Sequence, residues 1–200
     1  MKSKILTCLV LAGLVAAIGW HFWSSRAVTL GPGIKAPDDP VQEELHRPGM
    51  IRMDDFSIMP LASFKIEAKV LSRKRYWWGK ESKLSPVDLA MGWGAMSDEG
   101  VLDYLKIRQS GRWYHWSAKD LPIPKREIQD HSANMHIIPA DDEVRRTLKA
   151  ARKGQIVSIE GYLVRVNHPS GWHWESSLTR TDRGDGACEI IYAKSMRIHD

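Results

Sequence analysis

Between Lys4 and Arg26 the chain carries no Lys, Arg, Asp or Glu, and the apolar run from Ile5 to Trp20 continues through His21, Phe22 and Trp23 to Ser25. About 20 apolar residues at roughly 1.5 Å each cross the hydrocarbon core of a bilayer, and this run is just that long. Nothing polar interrupts it to give a helix a solvent face. These residues therefore cannot join a water-soluble core, and any globular fold must be built from the chain beyond Arg26. We read residues 1–26 as an N-terminal membrane anchor or signal segment, with residues 5–23 as one transmembrane helix.

A cleaved signal peptide would need small residues at its cut site, and Ala17 with Gly19, or Ser25 with Ala27, could supply them. The bulky Trp20-His21-Phe22-Trp23 cluster fits such a site poorly and suits the membrane interface, so the anchor is the preferred reading. Lys2 and Lys4 precede the span, whereas Arg26, Lys35 and Arg47 after it are balanced by Asp38, Asp39, Glu43 and Glu44. That asymmetry predicts a single-pass protein of the inner (cytoplasmic) membrane with its C-terminal domain facing the periplasm.

The remainder has room for one domain of ordinary size. At 43% hydrophobic and 26% charged, the chain is neither disordered nor fibrous. The net charge of +5 is spread over short basic clusters accompanied by acids, which argues for solvated faces and against a nucleic-acid partner. Cys8 lies in the span and Cys188 near the C-terminus. No disulfide can then form within the exported domain, and Cys188 is expected to be buried unless it is reactive for a purpose.

Residues 27–60 are rich in Pro and Gly without apolar periodicity and are expected to form a linker lifting the domain off the membrane. The globular domain is expected over residues 61–200. Phe64, Ile66, Ala68 and Val70 alternate with Lys65, Glu67 and Lys69, the period of a half-buried strand. Ser85-Pro86 with Asp88 predicts a short helix ended by Gly92 and Gly94. Ser110-Gly111 predicts a hairpin turn, and Val144, Leu148 and Ala151 a one-sided helix capped at Asp141 and stopped by Gly154. Val157 to Val166 reads as a central strand with a bulge or sharp coil at Gly161. The expected class is α+β, a mainly antiparallel small sheet or OB-like barrel with a few short helices, preceded by one transmembrane helix.

Three stretches carry groups of chemical use. His131 and His136, with Asp182, Asp185 and Cys188, are the candidate catalytic residues, because a thiol and an imidazole can do acyl chemistry when a third group orients the base. Against this, Cys188 is expected to begin a strand, where a small thiol packs well. The five-residue spacing of the two histidines lacks the helical period of a zinc site, and Asp182 to Gly186 reads as a turn, so no metal and no cofactor are expected. Arg180, Trp172, Trp174 and Asn134 are the candidate binding residues. Trp172 and Trp174 share one face of their strand with His173 opposite, and of the seven tryptophans beyond the anchor one to three are expected to be exposed.

Ser85 to Ala90 with Gly92-Trp93-Gly94 and Met96-Ser97-Asp98, His131 to Ala140, Gly161 to Val164, and Ser176 to Glu189 together resemble a family of uncharacterised bacterial proteins with an N-terminal membrane segment. The resemblance covers about residues 61–198 and implies an exported bacterial domain, with no catalytic residue to carry over. The function expected is a membrane-tethered extracytoplasmic binding or assembly module, its partner an envelope protein or polymer. The alternative is a hydrolase or transferase using a His/Asp, or Cys, site. The two differ in whether residues 131–136 and 182–189 converge in one pocket.

Overall fold

The computed structural model describes residues 26–179 and 188–199, together with Gly13 and Gly19. No helix among the described residues is long and apolar enough to cross a membrane, and the expected span falls outside them apart from those two glycines.

In chain order the elements are β1 (Val41–Glu44), β2 (Ile51–Met53), β3 (Phe56–Arg75), α1 (Lys80–Leu84) and β4 (Val87–Gly92). A 3-10 turn (Gly94–Ser97) leads to α2 (Glu99–Leu102), then β5 (Lys106–Ser110) and β6 (Trp113–Ser117). There follow α3 (Lys125–Asp130), β7 (Ser132–Pro139), α4 (Asp142–Ala150), β8 (Ile156–Asn167), β9 (His173–Glu175) and β10 (Glu189–His199). The class is α+β, mostly sheet and mainly antiparallel, with short helices, as expected.

Five strands pair in a circuit: β3 with β4, β4 with β7, β7 with β10, β10 with β8, and β8 back onto β3. All contacts in the circuit are antiparallel except β7 with β10, which is parallel. The alternating side chains of Phe64 to Val70 line its inside with Leu89, Met91, Ile137, Ile159 and Ile191. Helix α4 covers the core with Val144 and Leu148, and its first turn is capped by the Asp141 carboxylate, which accepts the Val144 N–H at 2.8 Å. Both features are those expected from the apolar period.

Within the circuit the 20-residue β3 pairs with both β8 and β4, and its register shifts between Pro60 and Ala62 against β8 and between Val70 and Ser72 against β4. The first shift moves Phe56 and Ile58 into a second cluster with Leu84, Val164, Val166 and Ile190. A one-residue slip exchanges the two faces of a strand, so this bulge gives the sheet a packed outer face as well as an inner one. Gly161 sits in mid-β8, between Phe64 and Ala193, where a Cβ would lie 2.0 Å from the Tyr192 carbonyl oxygen.

Two expectations are corrected. The segment Ser85 to Gly92 is no helix: residues 87–92 form β4, buried on both faces, and Asp88 is held by distant residues rather than by a helix terminus. Residues 27–60 are no spacer either. Val28 donates to the Lys153 carbonyl, the amides of Leu30 and Gly31 to the Glu99 carboxylate, and those of Lys35 and Ala36 to Ser97 Oγ. The strap then continues into β1 and β2, which pair with β3. From Val28 to Ala36 it is docked mainly through backbone amides, with Ala36 its one buried side chain, so it shows no apolar period.

Glu99 anchors the strap. It accepts from Leu30 at 2.8 Å, Gly31 at 2.7 Å and the buried Lys69 Nζ at 2.8 Å. Burial works to raise its carboxyl, but the hydrogen bonds from Lys69 and the strap amides outweigh burial and hold it below the usual 4.5. A carboxyl depressed in the folded state stabilises fully above its unfolded value and loses that contribution as pH falls through the folded one. Hydrogen-exchange protection of the Leu30 and Gly31 amides should therefore be intact at about pH 6 and decline below about pH 4. Equal protection across that range would show that Glu99 does not hold the strap.

Candidate functional site

The outer face of β4 and β7 is where polar groups collect. Asp88 stands directly opposite His136, and Ile190 opposite His136 on the other side, so one row crosses three strands. Asp88 is wholly buried, and a lone buried carboxylate is costly unless paired and hydrogen-bonded. Its partners supply that. Arg112 Nη1 lies 2.8 Å from Oδ1, Ser85 Oγ donates to Oδ1 at 3.1 Å, and His136 Nδ1 lies 2.9 Å from Oδ2. That last contact is an ion-pair distance without hydrogen-bond geometry, and neither of its atoms has a hydrogen-bond partner among the described residues.

Arg112 comes from the tip of the β5–β6 hairpin, whose two-residue turn is Gly111-Arg112, one residue on from the expected pair. Both have positive φ, 54° and 67°, as a type I′ turn requires. Such a φ is uncommon for a residue other than Gly, Asn or Asp, and the hairpin's docking holds Arg112 there. Its amide donates to Tyr76 Oη at 3.1 Å, its Nη2 to the Ser85 carbonyl at 3.1 Å, and its guanidinium stacks 4.0 Å over the Tyr76 ring. Burial, and then the charge of Asp88, push the Tyr76 phenol up to about 12. At neutral pH it is the uncharged acceptor that the Arg112 N–H needs.

Alternate residues of β7 clamp the rest of the hairpin. Ser132 Oγ hydrogen-bonds Tyr114 Oη at 2.9 Å, while Asn134 accepts from Gln109 at 2.7 Å and donates to the Arg112 carbonyl at 2.9 Å. The buried Asn134, a candidate binding residue, is thus occupied in positioning the hairpin.

Above this floor opens a cleft of about 560 Å³. The loop after β3 contributes Tyr76, Trp78 and Glu81, with Glu81 on α1; the hairpin tip gives Gly111, Arg112 and Trp113; and Trp174, Glu175 and Cys188 line it with His136. Trp78 is 90% exposed, Trp77 beside it 74%, and Trp113 36%. These three are the exposed tryptophans among those described, within the number expected. Trp174 leans over His136 with ring centres 4.6 Å apart and packs against Trp172, which meets Phe56 in the second cluster. The two share a face with His173 outward, as the strand period predicts, but only Trp174 reaches the cleft.

The expected site residues therefore divide. His136, Trp174 and Cys188 come together. His131 does not join them: it precedes β7 by one residue, about 16 Å along the strand from His136, with Nδ1 3.2 Å from Glu127 and Nε2 3.8 Å from Asp39. Arg180, Asp182 and Asp185 lie outside the described residues. Among the described residues no group of three or more His, Cys, Asp or Glu is arranged to hold a metal ion.

Asp88, Arg112, Tyr76 and Trp78 are the residues that sequence reasoning missed. The available signal was a single acid inside the apolar run from Val87 to Met91 and an arginine at a hairpin tip. Comparison with protein-family models, curated proteins and solved structures found no match.

Proposed function

We propose that this chain is a membrane-tethered, periplasm-facing binding module of OB-like fold, whose cleft takes a ring-bearing polymer of the cell envelope, a glycan. Numbered along the circuit, β3, β4, β7, β8 and β10 follow the order first, second, third, fifth, fourth. The parallel pair is third with fifth, and α4 falls between third and fourth. In OB barrels the face of the second and third strands, flanked by the loops after the first and fourth, takes oligosaccharides and oligonucleotides. The cleft occupies the corresponding place.

The observation that carries the reading is the exposure of Trp78 and Trp113, both of which line the cleft. Flat apolar rings held in water are costly to leave uncovered and offer faces on which sugar rings stack. A nucleic acid fits less well, because phosphates need available cations. Here Arg112 is committed to Asp88, and the other charged groups in the cleft are the carboxylates Glu81 and Glu175.

Titration calorimetry of the full chain in detergent against soluble cell-wall oligosaccharides tests this. Trp78→Ala should weaken binding at least tenfold, about 1.4 kcal/mol. Binding of peptide fragments alone would assign the cleft to a protein partner, and no glycan binding, or an unchanged Trp78→Ala, would overturn the reading.

A further inference from the structure

We propose that the floor of the cleft is a nucleophilic site, in which His136 takes the proton of the Cys188 thiol and the sulfur attacks the carbonyl carbon of an O-acyl ester. The inference rests on the binding reading for the ligand that carries the ester. For activation of the thiol it rests on the site's own geometry.

Three observations support it. First, His136 and Cys188 line the same cleft, although the imidazole is almost wholly buried. Second, the His136 ring faces Asp88: Nδ1 lies 2.9 Å from Oδ2, an ion-pair distance without hydrogen-bond geometry, with Nε2 on the far side of the ring. Asp88 cannot swing away, because Arg112 and Ser85 hold its other oxygen at 2.8 and 3.1 Å. A carboxylate set against the imidazole of a thiol–imidazole pair stands where the third member of such a site belongs. Third, the parallel register sets Ile190 opposite His136 and Glu189 opposite Met135, and Cys188 immediately precedes β10, so the register continued by one residue sets it level with Asn134, two residues from His136. Adjacent strands lie about 4.8 Å apart, which places the two backbones about 8 Å apart along the diagonal, a gap that a cysteine and a histidine side chain span together.

The step balances without a co-reactant other than water. The thiol proton passes to His136 Nε2, an S–C bond forms, and the ester C–O bond breaks as the imidazolium returns the proton to the departing alcohol. Water then attacks the thioester with His136 as base, which releases the carboxylic acid and restores the thiol. Asp88 is a positioning residue. The other ionisable groups around the cleft are Arg112 on the hairpin, Tyr76 on the loop after β3, Glu81 on α1, and Glu175 on β9. Glu189 projects from the opposite face of β10, in register with Met135 of the core.

The test uses the full chain in detergent carrying Cys8→Ser, so that Cys188 is the sole thiol. Iodoacetamide alkylation should remain fast below the ordinary cysteine titration near pH 8.5 and be at least tenfold faster at pH 6 than in His136→Gln. p-Nitrophenyl acetate should give a burst of one nitrophenolate per protein and an acetyl mass on Cys188. His136→Gln should slow that burst at least 100-fold and Cys188→Ser should abolish it. A thiol that titrates near its ordinary value, reacts equally in His136→Gln and gives no burst overturns the proposal. Both probes work without glycan, so they fail or succeed independently of the Trp78 titration.

Discussion

Asp88→Ala is expected to lower the stability of the domain by about 3–5 kcal/mol, because removing one partner of a buried pair leaves the others uncompensated. The groups left behind are the Arg112 guanidinium and the His136 imidazole, whose side chains are 17% and 3% exposed. Arg112 keeps some access to water, which places the loss toward the lower end of that range. With a urea slope of about 2 kcal/mol per M, the unfolding midpoint should fall by roughly 1.5–2.5 M. The damage should also be local first. The β5–β6 hairpin forms a sheet of its own, joined to the five-strand circuit through Arg112, Asn134 and Ser132. Amides of residues 106–117 should lose exchange protection before the strands of the circuit do. Asp88→Asn, which keeps the shape and one acceptor, should cost less. A midpoint within about 0.5 M of the parent would mean that the hairpin is held by its apolar contacts alone.

Gly161→Val should be at least as severe. A Cβ there meets the Tyr192 carbonyl oxygen at 2.0 Å, its carbon at 3.0 Å and the Ala193 Cα at 3.1 Å. All three are backbone atoms of a strand that β8 already pairs with, and β3 holds the other edge of β8 at Phe64. Relief therefore requires breaking one ladder or the other. We expect a loss above about 3 kcal/mol, seen as a fall in Tm of about 6–12 °C for a domain of this size. Gly49→Ala is the control, since nothing lies within 4 Å of its added Cβ, and it should stay within about 0.5 kcal/mol of the parent. A mild Gly161→Val would show that the β8–β10 contact has slack that the close approach does not suggest.

The error at Ser85 to Gly92 has a definite source. Ser85, Pro86 and Asp88 have the spacing of a helix start, and Ser85 Oγ does bond Asp88. The chain nevertheless runs as a strand, because both faces of Val87 to Gly92 are needed: one for the core inside the circuit, the other under the hairpin. Tertiary burial overrode a local capping pattern. The strap from Val28 to Ala36 is invisible in the sequence for the complementary reason. Its partners, Glu99, Asp98 and Ser97, lie more than 60 residues away and meet its backbone, which has no residue-specific pattern.

What the sequence determined alone was whatever depends on near neighbours: the alternation of Phe64 to Val70, the cap and apolar stripe of α4, the hairpin at Gly111, and the central strand from Val157 to Val166. These arise from periods of two and 3.6 residues and from local steric limits. The tertiary structure decided the site. It set Asp88 beside His136 across two strands, brought Arg112 over them from a hairpin, and ran β10 parallel to β7 so that Cys188 opens onto the same cleft. The physical reason is that Asp88 has no favourable environment of its own. Its burial is tolerable only once Arg112, Ser85 and His136 have been assembled around it by the closing of the sheet.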